Sequence, residues 1–168
     1  MNLAGLNEAS REAFAAALGP VFEHSPWIAG EAWAARPFAS VEEVFEAMTA
    51  AIAAAGDDMK LALIRAHPDL AGKAARAGAL TEHSTREQQG VGLDRLSDEE
   101  FERFHRLNAA YRERFGFPFI VAVRLHTKDS ILEAFERRLA NDQAAEMEEA
   151  LRNIGLIGRF RLFDLVQD

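Results

Sequence analysis

The 168-residue chain has no cysteine. Disulfide bonds and thiolate nucleophiles are therefore excluded, and nothing points to an oxidising compartment. It also lacks any apolar run long enough to cross a bilayer. The first stretch, Met1 to Gly19, carries Glu8 and Glu12 and has no basic start followed by an apolar block, so no secretory signal is expected there. The closing Gln167-Asp168 is not a peroxisomal Ser-Lys-Leu signal. The expected location is the cytoplasm, with no membrane partner. Basic residues are in deficit, 19 Lys and Arg against 27 Asp and Glu. A net charge of −8 argues against a nucleic-acid partner. It does not argue against an anionic small molecule, which one local cation can hold. Strand-like patterning is nearly missing too. Phe117 to Val123 is apolar and β-rich but has no obvious partner, so an extended buried segment or a helix starting after Pro118 is expected.

What is present is helical periodicity. With 49% hydrophobic residues and this length, one globular domain over residues 1–168 is expected. Glu8 to Leu18 reads as a short amphipathic helix closed by Gly19-Pro20. Val21 to Phe38 is interrupted by Pro26 and Pro37 and should be broken. Ser40-x-x-Glu43 and Ser97-x-x-Glu100 are capping boxes opening two further helices. In the second, Phe101, Phe104, Asn108, Tyr111 and Phe115 share a face, and Gly116 stands where a C-terminal cap belongs. Asp57-Asp58 starts a helix with Leu61, Ala62 and Ile64 inward, and Pro68 ends it at His67. Ser130 to Leu139, then Asn141 or Asp142 to about Val166, complete an all-α bundle of roughly eight helices.

The densest polar chemistry lies in the least regular stretch. His67-Pro68-Asp69-Leu70 is followed by Ser84-Thr85-Arg86-Glu87-Gln88 and a glycine-containing turn, Gly90 to Asp94. His67, at a helix C-terminus, is suited to exchange a proton near neutral pH, or simply to cap the helix. Ser84-x-x-Glu87 reads equally as a third capping box and as a helix N-terminus offering amides to an anion, with Gln88 adding a side-chain amide. His67, Asp69, His83 and Glu87 are all permitted metal ligands, but their spacing fits no standard zinc pattern. On the last helix Arg161 falls on the stripe of Met147, Leu151, Ile154, Ile157, Leu162 and Leu165, while Arg152 and Arg159 point away. A cation on an inward stripe is either paired with a buried carboxylate or clamps a ligand, and the pattern leaves both open. Asn108 reads as a hydrogen-bonded core residue. Two other classes stay in view: a metal-dependent hydrolase built on those four ligands, and a non-catalytic helical interaction module.

Three motifs taken together carry a resemblance. They are His67-Pro68-Asp69-Leu70 with Gly72-Lys73, then Ser84-x-x-Glu87-Gln88-x-Gly90-x-Gly92-Leu93-Asp94, then Leu107-Asn108-x-x-Tyr111-x-x-Arg114-Phe115-Gly116-Phe117-Pro118-Phe119-Ile120. In this order and spacing the chain resembles the OHCU decarboxylases, which act on 2-oxo-4-hydroxy-4-carboxy-5-ureidoimidazoline in urate breakdown. The resemblance implies an all-α homodimer without metal or organic cofactor and a small ureidoimidazoline substrate. It places catalytic roles on His67 and Glu87. Substrate contacts go to Pro68, Ser84, Gln88, Phe119, Ile120, Val121, Ala122, Val123 and, within Arg161-Leu162-Phe163-Asp164-Leu165, Arg161.

Overall fold

Several helices begin where a short polar side chain meets a free amide. Asn2 accepts from the Gly5 amide at 2.9 Å and opens α1, Leu3–Glu8. Ser10 opens α2, Arg11–Leu18, so the helix expected over Glu8–Leu18 starts three residues later than expected and a separate short helix, α1, precedes it. The computed structural model describes the backbone of residues 1–168 and every side chain except those of Lys73 and Ala74. After α2 the chain makes a 3-10 turn, Gly19–Val21, then α3, Trp27–Ala32, and a second 3-10 turn, Trp33–Ala35. The break expected at Pro26 and Pro37 is therefore present. Ser40 caps α4, Val41–Ala54, and Asp57 begins α5, Asp57–Arg65. In α5 Leu63 and Ile64 are buried and Ala62 is exposed, so the inward face is turned one residue from the expected one.

The chain divides into two compact units, Met1–Ala66 with Gly155–Asp168, and His67–Ile154. The first has a core of Phe14, Leu18, Val21, Phe22, Ile28, Val44, Met48, Ile64 and Leu162, all buried. Its two chain ends meet in an isolated parallel bridge between Asn2 and Gln167. The second contains α6 (Lys73–Arg76), α7 (Glu82–Gly90), α8 (Asp98–Phe115) and α9 (Lys128–Arg138), and α10 (Gln143–Leu165) begins in it. A full capping box at Ser97 and Glu100 opens α8, and Gly116, at φ 76°, closes it in the left-handed region that glycine enters without strain.

Residues 117–122 run extended and buried without joining a sheet. Pro118 keeps Phe117 out of the helical region. Side chains supply the hydrogen bonds a neighbouring strand would give. Arg138 donates to the Ile120 carbonyl at 2.6 Å, and Asn153 accepts the Ala122 amide at 3.0 Å. The ring of Phe119 stacks on Phe135 with centroids 3.7 Å apart and meets Tyr111 edge-on at 5.4 Å. Of the two alternatives for the strand-like stretch the extended one is realised: no helix starts after Pro118, and the first turn is the 3-10 helix Val123–Leu125.

Candidate active site

The site builds outward from the end of α5. Ala66 is its C-cap, and His67 follows in a bend, 6% exposed. The loop it opens is held by side chains of two helices. From α7, Gln88 accepts the Ala71 amide at 2.9 Å through Oε1 and donates to the Asp69 carbonyl at 3.4 Å through Nε2. From α8, Asn108 donates to the Leu70 carbonyl at 2.9 Å. Arg112, one turn further along α8, pairs with Asp69 at 2.9 Å. Ala71 sits at φ 52°, a conformation that a non-glycine residue keeps only when its surroundings impose it. These contacts hold residues 69–71, the part of the loop just after His67. Asn108 is thus the core hydrogen-bonding residue its aromatic surroundings suggest.

The capping box expected at Ser84 and Glu87 does not form. α7 starts one turn earlier, with Thr81 as N-cap accepting the Ser84 amide at 3.3 Å. Thr81 places Glu82 in the first turn, where the helix dipole favours a carboxylate. The shift moves Ser84 and Glu87 inside the helix. Ser84 and Gln88, four apart, share the buried side, each 5% exposed. Glu87 is half-buried beside them and faces a cavity of about 470 Å³ lined also by His83, Arg86, Gly90, Val91, Arg124 and His126. α7 packs against the 3-10 turn Val123–Leu125, so the end of the extended segment lies alongside the helix that carries Glu87. Burial, followed by Arg137 and Arg138, pushes the His126 imidazole below its ordinary value. Nδ1 of His126 lies 2.9 Å from Ser130 Oγ.

The structure does not gather His67, Asp69, His83 and Glu87 into one ligand set. Among the described residues no three His, Asp or Glu side chains gather as a metal site. Asp69 is engaged by Arg112.

The profile of OHCU decarboxylase matches residues 7–163. The chain belongs to the OHCU decarboxylase family. It is 41% identical over 162 residues to the 2-oxo-4-hydroxy-4-carboxy-5-ureidoimidazoline decarboxylase of Haloferax volcanii, covering 96% of this chain and 94% of that one. A uric acid degradation bifunctional protein of Bacillus subtilis is 40% identical over 163 residues, which are 97% of this chain and 32% of that one. A crystal structure of (S)-allantoin synthase superposes with a TM-score of 0.76 at 31% identity, covering 99% of this chain and 54% of that one. A crystal structure of OHCU decarboxylase in the presence of (S)-allantoin shares the fold, with a TM-score of 0.70 at 20% identity over 94% of this chain and 98% of that one.

In this family member the loop 67–71, α7 and the segment 119–123 all lie in the unit His67–Ile154. Phe119, Ile120, Val121, Ala122 and Val123 are each at most 5% exposed. Arg161 belongs to the other unit, where its Nη2 donates to Glu23 Oε1 at 3.0 Å. Arg161 thus has a buried carboxylate partner, and Arg159, at 42% exposure, pairs with Glu42.

The sequence reading missed a buried polar cluster that supports the extended segment. Glu146, fully buried, accepts from Tyr111 at 2.5 Å, from Arg138 at 2.8 Å and from Asn141 at 3.0 Å. Burial, then the bond to Glu146, pushes the Tyr111 phenol well above its ordinary range, so it stays a neutral donor. A usable signal existed. Glu146, Ala150, Asn153, Ile154, Gly158, Arg161 and Leu162 follow one helical face, but it is marked by small and polar residues rather than large apolar ones.

Proposed function

We propose that this enzyme decarboxylates 2-oxo-4-hydroxy-4-carboxy-5-ureidoimidazoline to (S)-allantoin. The observation that carries this reading is the likeness to curated decarboxylases along nearly the whole chain. The rigid seating of His67 and the exposure of Glu87 to a cavity support it. The same reading carries a cytoplasmic homodimer without metal or organic cofactor.

The substrate's own bonds explain how the protein's side chains suffice. The leaving carboxylate sits on a ring carbon that bears a hydroxyl, and the neighbouring ring carbon belongs to a C=N bond. When the C–C bond to the carboxylate breaks, its electron pair forms a double bond between the two ring carbons. The C=N pair takes a proton on nitrogen, and carbon dioxide leaves. The resulting enol loses its hydroxyl proton and gains one at the adjacent carbon, which creates the stereocentre. Counting from the carboxylate, one proton is taken up overall. His67, with Glu87, moves the hydroxyl proton. Ser84, Pro68 and the 119–123 segment shape and orient the substrate, and Arg161 binds one of its oxygens. Gln88 serves the site mainly by holding the His67 loop, since both ends of its amide bond to backbone.

The test generates the substrate in the cuvette from urate with urate oxidase and hydroxyisourate hydrolase, and follows optically active allantoin by circular dichroism. Acceleration over spontaneous decay is expected, and it should survive dialysis against a chelator. A rate equal to spontaneous decay overturns the proposal.

A further inference from the structure

Arg161 has a buried partner that the reaction scheme does not use. The Arg161 and Glu23 side chains are 2% and 1% exposed, and Nη2 of Arg161 donates to Oε1 of Glu23 at 3.0 Å. Glu23 sits in a tight turn between the Gly19–Val21 3-10 helix and α3. Within the turn the Ser25 amide donates to the Phe22 carbonyl at 3.3 Å, and Ser25 Oγ donates to the carbonyl of Glu23 itself at 2.8 Å. His24 takes φ 47°, which side chains other than glycine adopt only when the surroundings require it.

The turn is seated on α10 by a close fit. Phe22 packs against Gly158 so tightly that a Cβ at 158 would lie 2.5 Å from its ring. Gly158 and Arg161 are three residues apart on one helix face. Once Phe22 fills the notch, the next residue, Glu23, meets Arg161. Burial of an ion pair is weak evidence that it was placed for stability. Two charges removed from water are generally no better than well-packed apolar residues of similar size. What an ion pair provides that apolar packing cannot is orientation, because a carboxylate bonded to one nitrogen of the rigid, planar guanidinium limits the directions the others can take.

We propose that Glu23 is a positioning residue for Arg161, setting the guanidinium to receive a planar carbonyl or carboxylate group of the substrate. This rests on the reading that Arg161 binds substrate. The experiment compares the full-length protein with Glu23→Gln, which keeps the shape and removes the charge. KM should rise about tenfold with kcat changed by no more than about twofold, as for lost uniform binding. Arg161→Lys should also raise KM, and the double variant should be no worse than Arg161→Lys alone, because both act through one interaction. Glu42→Gln, which breaks the exposed pair of Arg159, should leave KM unchanged. A lowered melting temperature with unchanged KM, a fall in kcat alone, or additive effects would overturn the proposal.

A second measurement stands apart from turnover. In the ligand-free protein the Arg161 Nε–H resonance should be sharp and slow to exchange with solvent, and Glu23→Gln should broaden it. An unchanged resonance overturns the positioning role. Failure of the wild-type protein to beat spontaneous decay instead overturns the decarboxylase reading. Should Glu23→Gln not fold, Glu23→Asp, which withdraws the carboxylate by one methylene, is judged by the same criteria.

Discussion

Oε1 of Gln88 accepts the backbone amide of Ala71 at 2.9 Å, and this bond ties the loop that begins at His67 to the helix that carries Glu87. The loop cannot satisfy that amide by itself, because Ala71 is buried and in a left-handed conformation. Replacing Gln88 with Ala should therefore cost about 1–3 kcal/mol, the penalty of an unmet buried donor. Turnover should fall as well, since the loop positions His67. Gln89→Ala, at an exposed neighbouring site, should stay within about 0.5 kcal/mol of the parent. Urea denaturation and steady-state kinetics on both variants check this.

His67→Asn and Glu87→Gln should fold normally and lose turnover. Asn keeps a polar side chain but exchanges no proton near neutral pH, so a loss of about 10²–10⁴-fold is expected. Because Thr81 is the cap of α7, neither Ser84 nor Glu87 is needed to start the helix. Thr81→Ala should cost about 1 kcal/mol. Glu87→Gln should leave the melting temperature unchanged while slowing the reaction. An active Glu87→Gln would remove Glu87 from the chemistry.

Glu146→Ala should be among the most damaging single changes in the chain. It leaves the Arg138 guanidinium buried without its carboxylate and frees the Tyr111 hydroxyl, at a cost of about 3–5 kcal/mol. Arg138 also holds the Ile120 carbonyl, so the extended segment should loosen with it. Amide exchange at Phe119 to Val123 should accelerate, and thermal unfolding gives the stability loss.

His126 gives a pH signature. Its folded-state pKa lies below the ordinary value of 6.5, so the unfolded chain binds this proton more readily than the folded one. The folded state is therefore undiminished above pH 6.5. It loses stability as pH falls from there to the depressed folded value, and the loss levels off below it. The melting temperature of His126→Gln should fall less steeply than that of the parent across this acid limb. Because His126 is only partly buried, the effect should be modest.

Local rules made much of this protein legible from its sequence alone. Ser40 and Ser97 open helices, Gly116 closes one, and Pro26 and Pro37 break the stretch from Val21 to Phe38, because caps and breakers act through the nearest few backbone groups. His67 and its loop stood out for a similar reason, being a helix end followed by proline and dense polar chemistry. The inward placement of Arg161 followed from helical period alone. What tertiary structure decided were choices between near-equal local options and pairings across long separations. Thr81 and Ser84 are both good caps, and the start of α7 at Thr81 gives Gln88 and Glu87 their directions. Phe117 to Ala122 has strand-like residues, yet it stays out of a sheet because Arg138 and Asn153, 18 and 31 residues away, complete its hydrogen bonds. Glu23 and Arg161 are 138 positions apart. No pattern within a turn or a helix links them, since only the folded chain places Phe22 against Gly158 and so brings the two charges together.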